Sequence, residues 1–543
     1  MPAFFRSRTA QYLLAAVFIV FSLLVLNLRT LIPPDEGRYA EMAREMLLTG
    51  DWVTTRLNGI KYFEKPPLHT WMSAVSFALF GIGDWQARLW NGVCGMVGVL
   101  MVAYTGRRVF GGRAGLYAAL VLGSMLFWAA ASQFNSLDLP VAATMALALC
   151  ALLIAQLDDA DMTQRRRWML VCWAAMALSL LAKGLIGIVL PGGVLLIYAL
   201  VSGDRGIWRR LHLVTGLLVF LLLALPWFLL VAARNPEQPQ FFFIHEHWDR
   251  FFLKTHHRDG PWYYFLLLLL PATMPWLATL PASLAAARKR VEGRFQPARL
   301  LLVWTVFILL FFSYSSSKLP GYMLPVFPAM ALLAGAYLDR ASRNAALSAP
   351  ALLVVVGAAG VVCMRFFPII NLPLLGGAFG AAIVCGVAAG MAEWRGQRTA
   401  MIVLAALGGW MLTQLSMTAY ESHGRQQAGR DAALAIRAEL KYDTPVYSVG
   451  TYEQSMTFYM GHTVIPVAYS GELDFGLRQE AWRGVASMDE FYARWLLNAG
   501  RGVPQYAIVR EDLYGAMRLR GLPMVERARG DGIVVVASPL ILR

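Results

Sequence analysis

Pro33-Pro34-Asp35-Glu36-Gly37-Arg38-Tyr39, followed by Tyr62-Phe63-Glu64-Lys65-Pro66-Pro67, sets acids, bases and aromatics between stretches almost free of charge. A proline pair stops a helix, since proline lacks the N–H and its ring clashes with the preceding turn. The run before it, about residues 12–28, is apolar, so the stretch reads as a loop at the end of a membrane span. Working outward, long apolar runs recur along the chain.

The composition agrees. Of 543 residues, 58% are hydrophobic and only 15% charged, far from the balance of a soluble chain. A bilayer crossing takes about 20 apolar residues, and the runs predict about thirteen spans. The short apolar run at 70–82 suits a re-entrant or interfacial helix better than a span. Arg6 and Arg8 before the first run resemble a signal peptide, but no small-residue cleavage site follows, so the run reads as a retained span. The five cysteines all lie in apolar runs without metal-ligand spacing, so neither a disulfide nor a cysteine metal site is expected.

A net charge of +15 invites a nucleic-acid reading, but the positions of the basic residues oppose it. Arg107, Arg108, Arg113, Arg165 to Arg167, Arg205, Arg209, Arg210, Arg288, Lys289, Arg290, Arg340, Arg343, Arg395 and Arg398 fall in alternate loops. That alternation predicts a cytoplasmic N-terminus and a periplasmic C-terminus. The chemically rich loops then share the outer side: 30–88, 234–261, the turn at Asn135 to Asp138, the turn at Lys183-Gly184, and 315–322. Residues 421–543 carry no span; a helical pattern at 426–440 and strand patterns at 446–449, 464–467, 506–509 and 533–537 predict a small α/β domain. The expected architecture is an all-α polytopic membrane domain, residues 1–420, with a small C-terminal α/β periplasmic domain, residues 421–543. No internal repeat is visible.

Asp35 and Asp138 each follow the end of a span and precede or neighbour proline, so each is a helix-cap candidate. Each is also a functional candidate, since a carboxylate at a membrane boundary needs a partner or a wet cavity. Lys65 suits a lipid phosphate but also simple snorkelling. Lys183 interrupts Leu180-Leu181-Ala182 and Gly184-Leu185-Ile186, an expensive place for an ammonium without a role. His245-Glu246-His247-Trp248-Asp249-Arg250 lacks the helical zinc-protease spacing. On a strand, His245 and His247 share a face, and with Glu64 they make a candidate metal set, zinc for instance, that catalysis is not expected to require. Arg250 fits a bidentate phosphate ligand. Tyr314, Lys318 and Tyr322 are further candidate donors, or interfacial anchors.

The Asp-Glu pair in the first outer loop, the multi-span body and the second long outer loop resemble the GT-C superfamily of polyprenyl-phosphate-dependent glycosyltransferases. The two quoted motifs, extended to Leu68, are most similar to the bacterial lipid A aminoarabinose transferase family. The resemblance implies a donor, 4-amino-4-deoxy-L-arabinose on undecaprenyl phosphate, and an acceptor, a lipid A phosphate, at the bacterial inner membrane. Capping that phosphate would weaken polymyxin and other cationic peptides. It implies Asp35, Asp138 and Glu64 near the chemistry, and Lys65, Arg250, Lys183, Tyr322, Arg38, Tyr39 and Tyr62 binding substrate, without a required cofactor. A protein O-mannosyltransferase-like enzyme, a lipid-linked sugar transporter and a structural assembly protein are the alternatives. Charge gathered at one face, without repeat symmetry, favours an enzyme over a transporter.

Overall fold

The computed structural model describes residues 22–249, 260–366, 370–469 and 471–539. It divides into two compact units: residues 1–26 with 88–419, and residues 27–87 with 420–543. The division does not follow a single cut at 420, because the first long loop belongs with the C-terminal segment.

The first unit is helical. Among the described residues, eight helices are long and apolar enough to cross a membrane, from Asp84–Phe110 to Arg398–Ala419. A ninth candidate is the pair Tyr264–Ala272 and Leu277–Ala286, bent by 117°. These nine correspond to nine of the expected spans. The first expected span falls largely outside the described residues. The third, read as continuous over 116–131, is broken: Gly112–Ser124 and Leu126–Ala131 are separated by Met125 at φ −60°, ψ 124°. Leu126 N–H instead donates to the carbonyl of Met274 at 3.1 Å. The fifth is the helix Met162–Lys183, which starts on an arginine run, and the sixth, Ile186–Ser202, is 17 residues long.

The second unit is built from a helix, a hairpin and a five-stranded sheet. The helix Asp35–Thr49 starts straight after Pro34, with Asp35 and Glu36 in its first turn. Acids there oppose the positive end of the helix dipole. The helix ends on Gly50 at φ 70°, whose N–H caps the Met46 carbonyl. Asn58 and Gly59 follow at φ 57° and 72°, the left-handed pair that a two-residue hairpin requires. They join strands β1 (Arg56–Leu57) and β2 (Ile60–Lys61). The Asn58 side chain exchanges two 2.7 Å hydrogen bonds with the backbone of Val464. Glu480 accepts from Arg56 at 2.9 Å and from the Lys61 N–H at 3.1 Å. Thr30 N–H and hydroxyl both donate to the Glu421 carboxylate at 2.6 Å. The short helix expected near 70–82 is Leu68–Phe80, with Val75, Leu79 and Phe80 exposed.

The sheet holds strands β3 (Val446–Val449), β4 (Ile465–Val467), β5 (Tyr506–Arg510), β6 (Val525–Gly530) and β7 (Ile533–Ala537) in the order β4-β3-β5-β7-β6. β3 pairs in parallel with β4 and β5, and β7 antiparallel with β5 and β6. β3 and four residues each of β5 and β7 are buried. Their near-continuous apolar sequence is that of covered central strands. Tyr447, Val449, Phe491, Trp495, Val509, Val534 and Val536 form one core. The edge strand β6, with Glu526, Arg527 and Arg529, was not expected from sequence because its composition is that of a solvated edge.

Gly37 is required for a close approach. A Cβ there would lie 2.6 Å from the Ser455 backbone nitrogen. Gly37→Ala is expected to destabilise the protein by about 1–3 kcal/mol through this overlap, read as a lowered Tm against Gly50→Asn, whose side chain meets open space.

Candidate functional site

The motif helix Asp35–Thr49 presents its first turns to a charged cluster. Asp35 is not a helix cap: Pro34 holds that position, and the Asp35 carboxylate accepts from Arg38 at 3.0 Å. The second Arg38 branch reaches Glu472 at 2.6 Å. Gln454 donates to the other Glu472 oxygen at 2.5 Å. Burial by itself would lower the Arg38 pKa, but Tyr62, Glu472, Tyr39 and Asp35 outweigh it and hold the guanidinium above its ordinary value. Burial pushes the Glu472 carboxyl up, and Arg38 opposes that shift. Arg38 also lies 6.0 Å from the ring centroid of Tyr39, which packs edge-on to His69.

Tyr62 sits against this group and is buried. Its hydroxyl finds no hydrogen-bond partner among the described residues. Burial, then Glu64, drive its pKa well above the ordinary tyrosine value, so it is a pure donor or acceptor O–H at any working pH. Lys65 folds over its neighbour, donating to the Glu64 carbonyl at 2.9 Å with the carboxylate 3.9 Å away. Asp35, Glu64 and Glu472 thus lie with Arg38 and Lys65 in one charged group.

Asp138, Lys183 and Tyr322, read separately from sequence, meet in the helical unit. Asp138 occupies the first turn of Asp138–Gln156; Leu137, not Asp138, is the cap residue. Lys183 ends Met162–Lys183 and forms an ion pair with Asp138. The Lys183 ammonium stands 4.9 Å from the centroid of the Tyr322 ring. Gly321 lies against the Asp138 carboxylate with no room for a Cβ. This trio accounts for the lysine that interrupts an apolar run.

Other candidates fare differently. Lys318 spends all three N–H donors on the carbonyls of Phe312, Ser313 and Ser315, at 3.2, 2.8 and 2.6 Å, closing a helix C-terminus. It is therefore not a ligand donor, and Tyr314 is exposed. His245 is exposed and stacks on Phe241 at 5.2 Å. Arg250 and the His247 side chain lie outside the described residues. Among the described residues no group of three His, Cys, Asp or Glu side chains is placed to hold a metal ion. Sequence reading missed Glu472 and Gln454, which lie in segments with no local motif, and the acid pair Glu41 and Glu45, which follows the motif on the same helix without a pattern of its own.

Glu41 and Glu45 share one helix face. Glu41 is bound at 2.6 Å by Arg44, and Glu45 accepts the Gly59 N–H at 2.8 Å. Burial first, then the Glu41 charge, raise the Glu45 carboxyl to about 8.

A model of the dolichyl-phosphate-mannose-protein mannosyltransferase family matches residues 64–229, and one of the aminoarabinose transferase C-terminal domain matches residues 432–538. Together with the apolar helices these matches define a multi-pass membrane glycosyltransferase of the lipid-linked-donor class. The chain belongs to the undecaprenyl phosphate-alpha-4-amino-4-deoxy-L-arabinose arabinosyl transferase family. It is 33% identical over 449 residues to that transferase of Pseudomonas aeruginosa strain UCBPP-PA14, covering 79% of each chain. With transferase 2 of Pseudomonas fluorescens it is 34% identical over 368 residues, 66% of this chain and 62% of that relative's length. The crystal structure of ArnT from Cupriavidus metallidurans bound to undecaprenyl phosphate superposes with a TM-score of 0.92, at 38% identity and 99% coverage of both chains.

Two outcomes follow from the ion pairs. A Glu45 carboxyl raised to about 8 when folded binds its proton more tightly folded than unfolded. Its contribution is thus complete below the unfolded value of about 4.5 and fades as pH climbs through about 8. Unfolding free energy should fall across that window, and Glu45→Gln should flatten the profile. Lys183→Met should lower stability by about 3–5 kcal/mol by stranding Asp138, and Asp138→Leu with Lys183→Met should recover most of it. Equal Tm values for the single and double variants would rule out a coupled pair.

Proposed function

We propose that the protein transfers 4-amino-4-deoxy-L-arabinose from undecaprenyl phosphate to a lipid A phosphate on the periplasmic side of the bacterial inner membrane. The N-terminus is cytoplasmic and the C-terminus periplasmic. The product phosphate carries less negative charge, which confers resistance to polymyxin and similar cationic peptides. The observation that carries this reading is the charged group around Arg38 with the buried Tyr62 hydroxyl beside it. Asp35, Glu64 and Glu472 suit the sugar's ammonium, and the buried Tyr62 hydroxyl lacks a described partner that a sugar oxygen would supply.

The departing group is a polyprenyl phosphate whose negative charge grows as the glycosidic bond breaks. Lys65 and Arg250 neutralise it, aided by Lys183 and Tyr322. One well-placed donor of this kind is worth about 3–4 kcal/mol of barrier. The acceptor phosphate is already anionic, so Asp35 orients it or removes a residual proton rather than creating the nucleophile. Asp138, beside Lys183, keeps that ammonium in place. Arg38 and Tyr39 hold the carboxylates and the sugar face. A single in-line displacement inverts the anomeric carbon. His245 and Glu64 are not needed as metal ligands, and no cofactor enters the reaction.

The test is transfer of labelled sugar in defined liposomes, with aminoarabinosyl and mannosyl carriers in parallel. Aminoarabinose alone should appear on lipid A. Lys65→Ala and Arg250→Ala should each reduce transfer by at least about 100-fold, the loss expected of a charge-stabilising donor. Transfer of mannose, or near-normal activity in both variants, would overturn the assignment. Activity should persist after thorough chelation.

A further inference from the structure

At the opposite end of the helices from Asp138 and Lys183, Arg210 and Arg294 lie within electrostatic reach of a third arginine, Arg165. Asp138 opens Asp138–Gln156 and Lys183 closes Met162–Lys183, so the far ends of these two helices lie about 28 Å away at 1.5 Å per residue. Arg165 stands there, one turn into Met162–Lys183. Its Nε donates to the Ala155 carbonyl at 3.0 Å and its Nη2 to that of Ala160 at 3.2 Å. It lies within electrostatic reach of Arg210 and Arg294. Two acids temper the group. Asp204 pairs with Arg210, and Asp158 lies 3.9 Å from Arg294 while accepting the Arg294 and Phe295 N–H groups at 2.9 and 3.2 Å.

Those acids do not satisfy the group. Arg210 is buried, only 8% exposed, yet its Nη1 finds no acceptor among the described residues. An unmet guanidinium donor withdrawn from water is costly, and more so with Arg165 within electrostatic reach. Three arginines against two aspartates leave one positive charge in excess. Positive residues at this end are the general rule for inner loops, but that rule asks only for solvated charge, not for a buried donor without an acceptor.

We infer that Arg210, Arg165 and Arg294 form a binding site for a phosphate-class anion, distinct from and about 28 Å away from the Asp138–Lys183 end. Arg210 Nη1 supplies the buried donor, and Arg294, with its side chain 56% exposed, closes the open side. Guanidinium forks match phosphate oxygens geometrically. The anion is either the headgroup of an anionic phospholipid, which basic pockets between helices commonly hold, or free phosphate.

The full chain in phosphatidylcholine nanodiscs tests this. Adding cardiolipin should raise Tm by at least ~3 °C in a concentration-dependent way, since a ligand that binds only the folded state stabilises it. In detergent, inorganic phosphate is titrated against sulfate-free buffer. A response to both assigns any phosphate; a response to the lipid alone assigns the headgroup. Arg294→Gln, at an exposed position, should lose most of the shift, while Arg288→Gln should keep it. Arg210→Gln should abolish it; if that variant does not fold, Arg294→Gln decides. No Tm response to either ligand, or an equal response in wild type, Arg294→Gln and Arg288→Gln, overturns the site.

Discussion

A guanidinium withdrawn from water must be met by counter-charge, and Arg38 is met from two directions. Asp35 comes from its own helix turn and Glu472 from a segment more than 400 residues later. Much of the second unit hangs on long-range pairings of this kind. Residues 27–87 offer two helices and a hairpin of two residues per strand, too little to enclose a core. Thr30 with Glu421, Asn58 with Val464, and Arg56 with Glu480 supply what local structure lacks. The Asp-Glu motif is therefore positioned by the C-terminal segment of the same unit, and Gly37 sets how closely helix and segment approach.

The helical unit follows the same rule in a drier setting. Its charges sit at helix ends and come with partners. Asp138 and Lys183 neutralise each other beside Tyr322, Lys318 is absorbed by three carbonyls, and Arg398 is gripped by Glu393 at 2.7 and 2.8 Å. Charge is tolerated at these three places because it is answered locally. The arginines near Arg210 depart from that pattern.

Much of the architecture was legible in the sequence. Apolar runs of bilayer length marked eight helices and one bent helix pair among the described residues, because only such runs satisfy the backbone inside a membrane. Four strands of the sheet were read from short β-branched runs, to within a residue or two at their ends. The misses have causes. Met125 breaks a run that hydropathy alone reads as continuous, since an extended residue leaves no mark on composition. The edge strand β6 carries the charges of a solvated surface. The Asn58-Gly59 hairpin signal was present but too short to stand out from its loop.

The sequence by itself determined that the chain is a membrane protein with charged chemistry gathered in a few loops. It did so because burial in lipid constrains composition over every window of about 20 residues. It also singled out Lys183 as an anomaly in an apolar run, Asp138 as a cap or functional carboxylate, and Tyr322 as a candidate donor or interfacial anchor. Only the tertiary structure decided that these three meet, that Asp35 faces Arg38 instead of capping a helix, and that Glu472 joins them there. The physical reason is that Coulomb and hydrogen-bond partners act through space. A carboxylate in Gly471-Glu472-Leu473 has no local pattern to announce a guanidinium that folding brings from the other end of the chain.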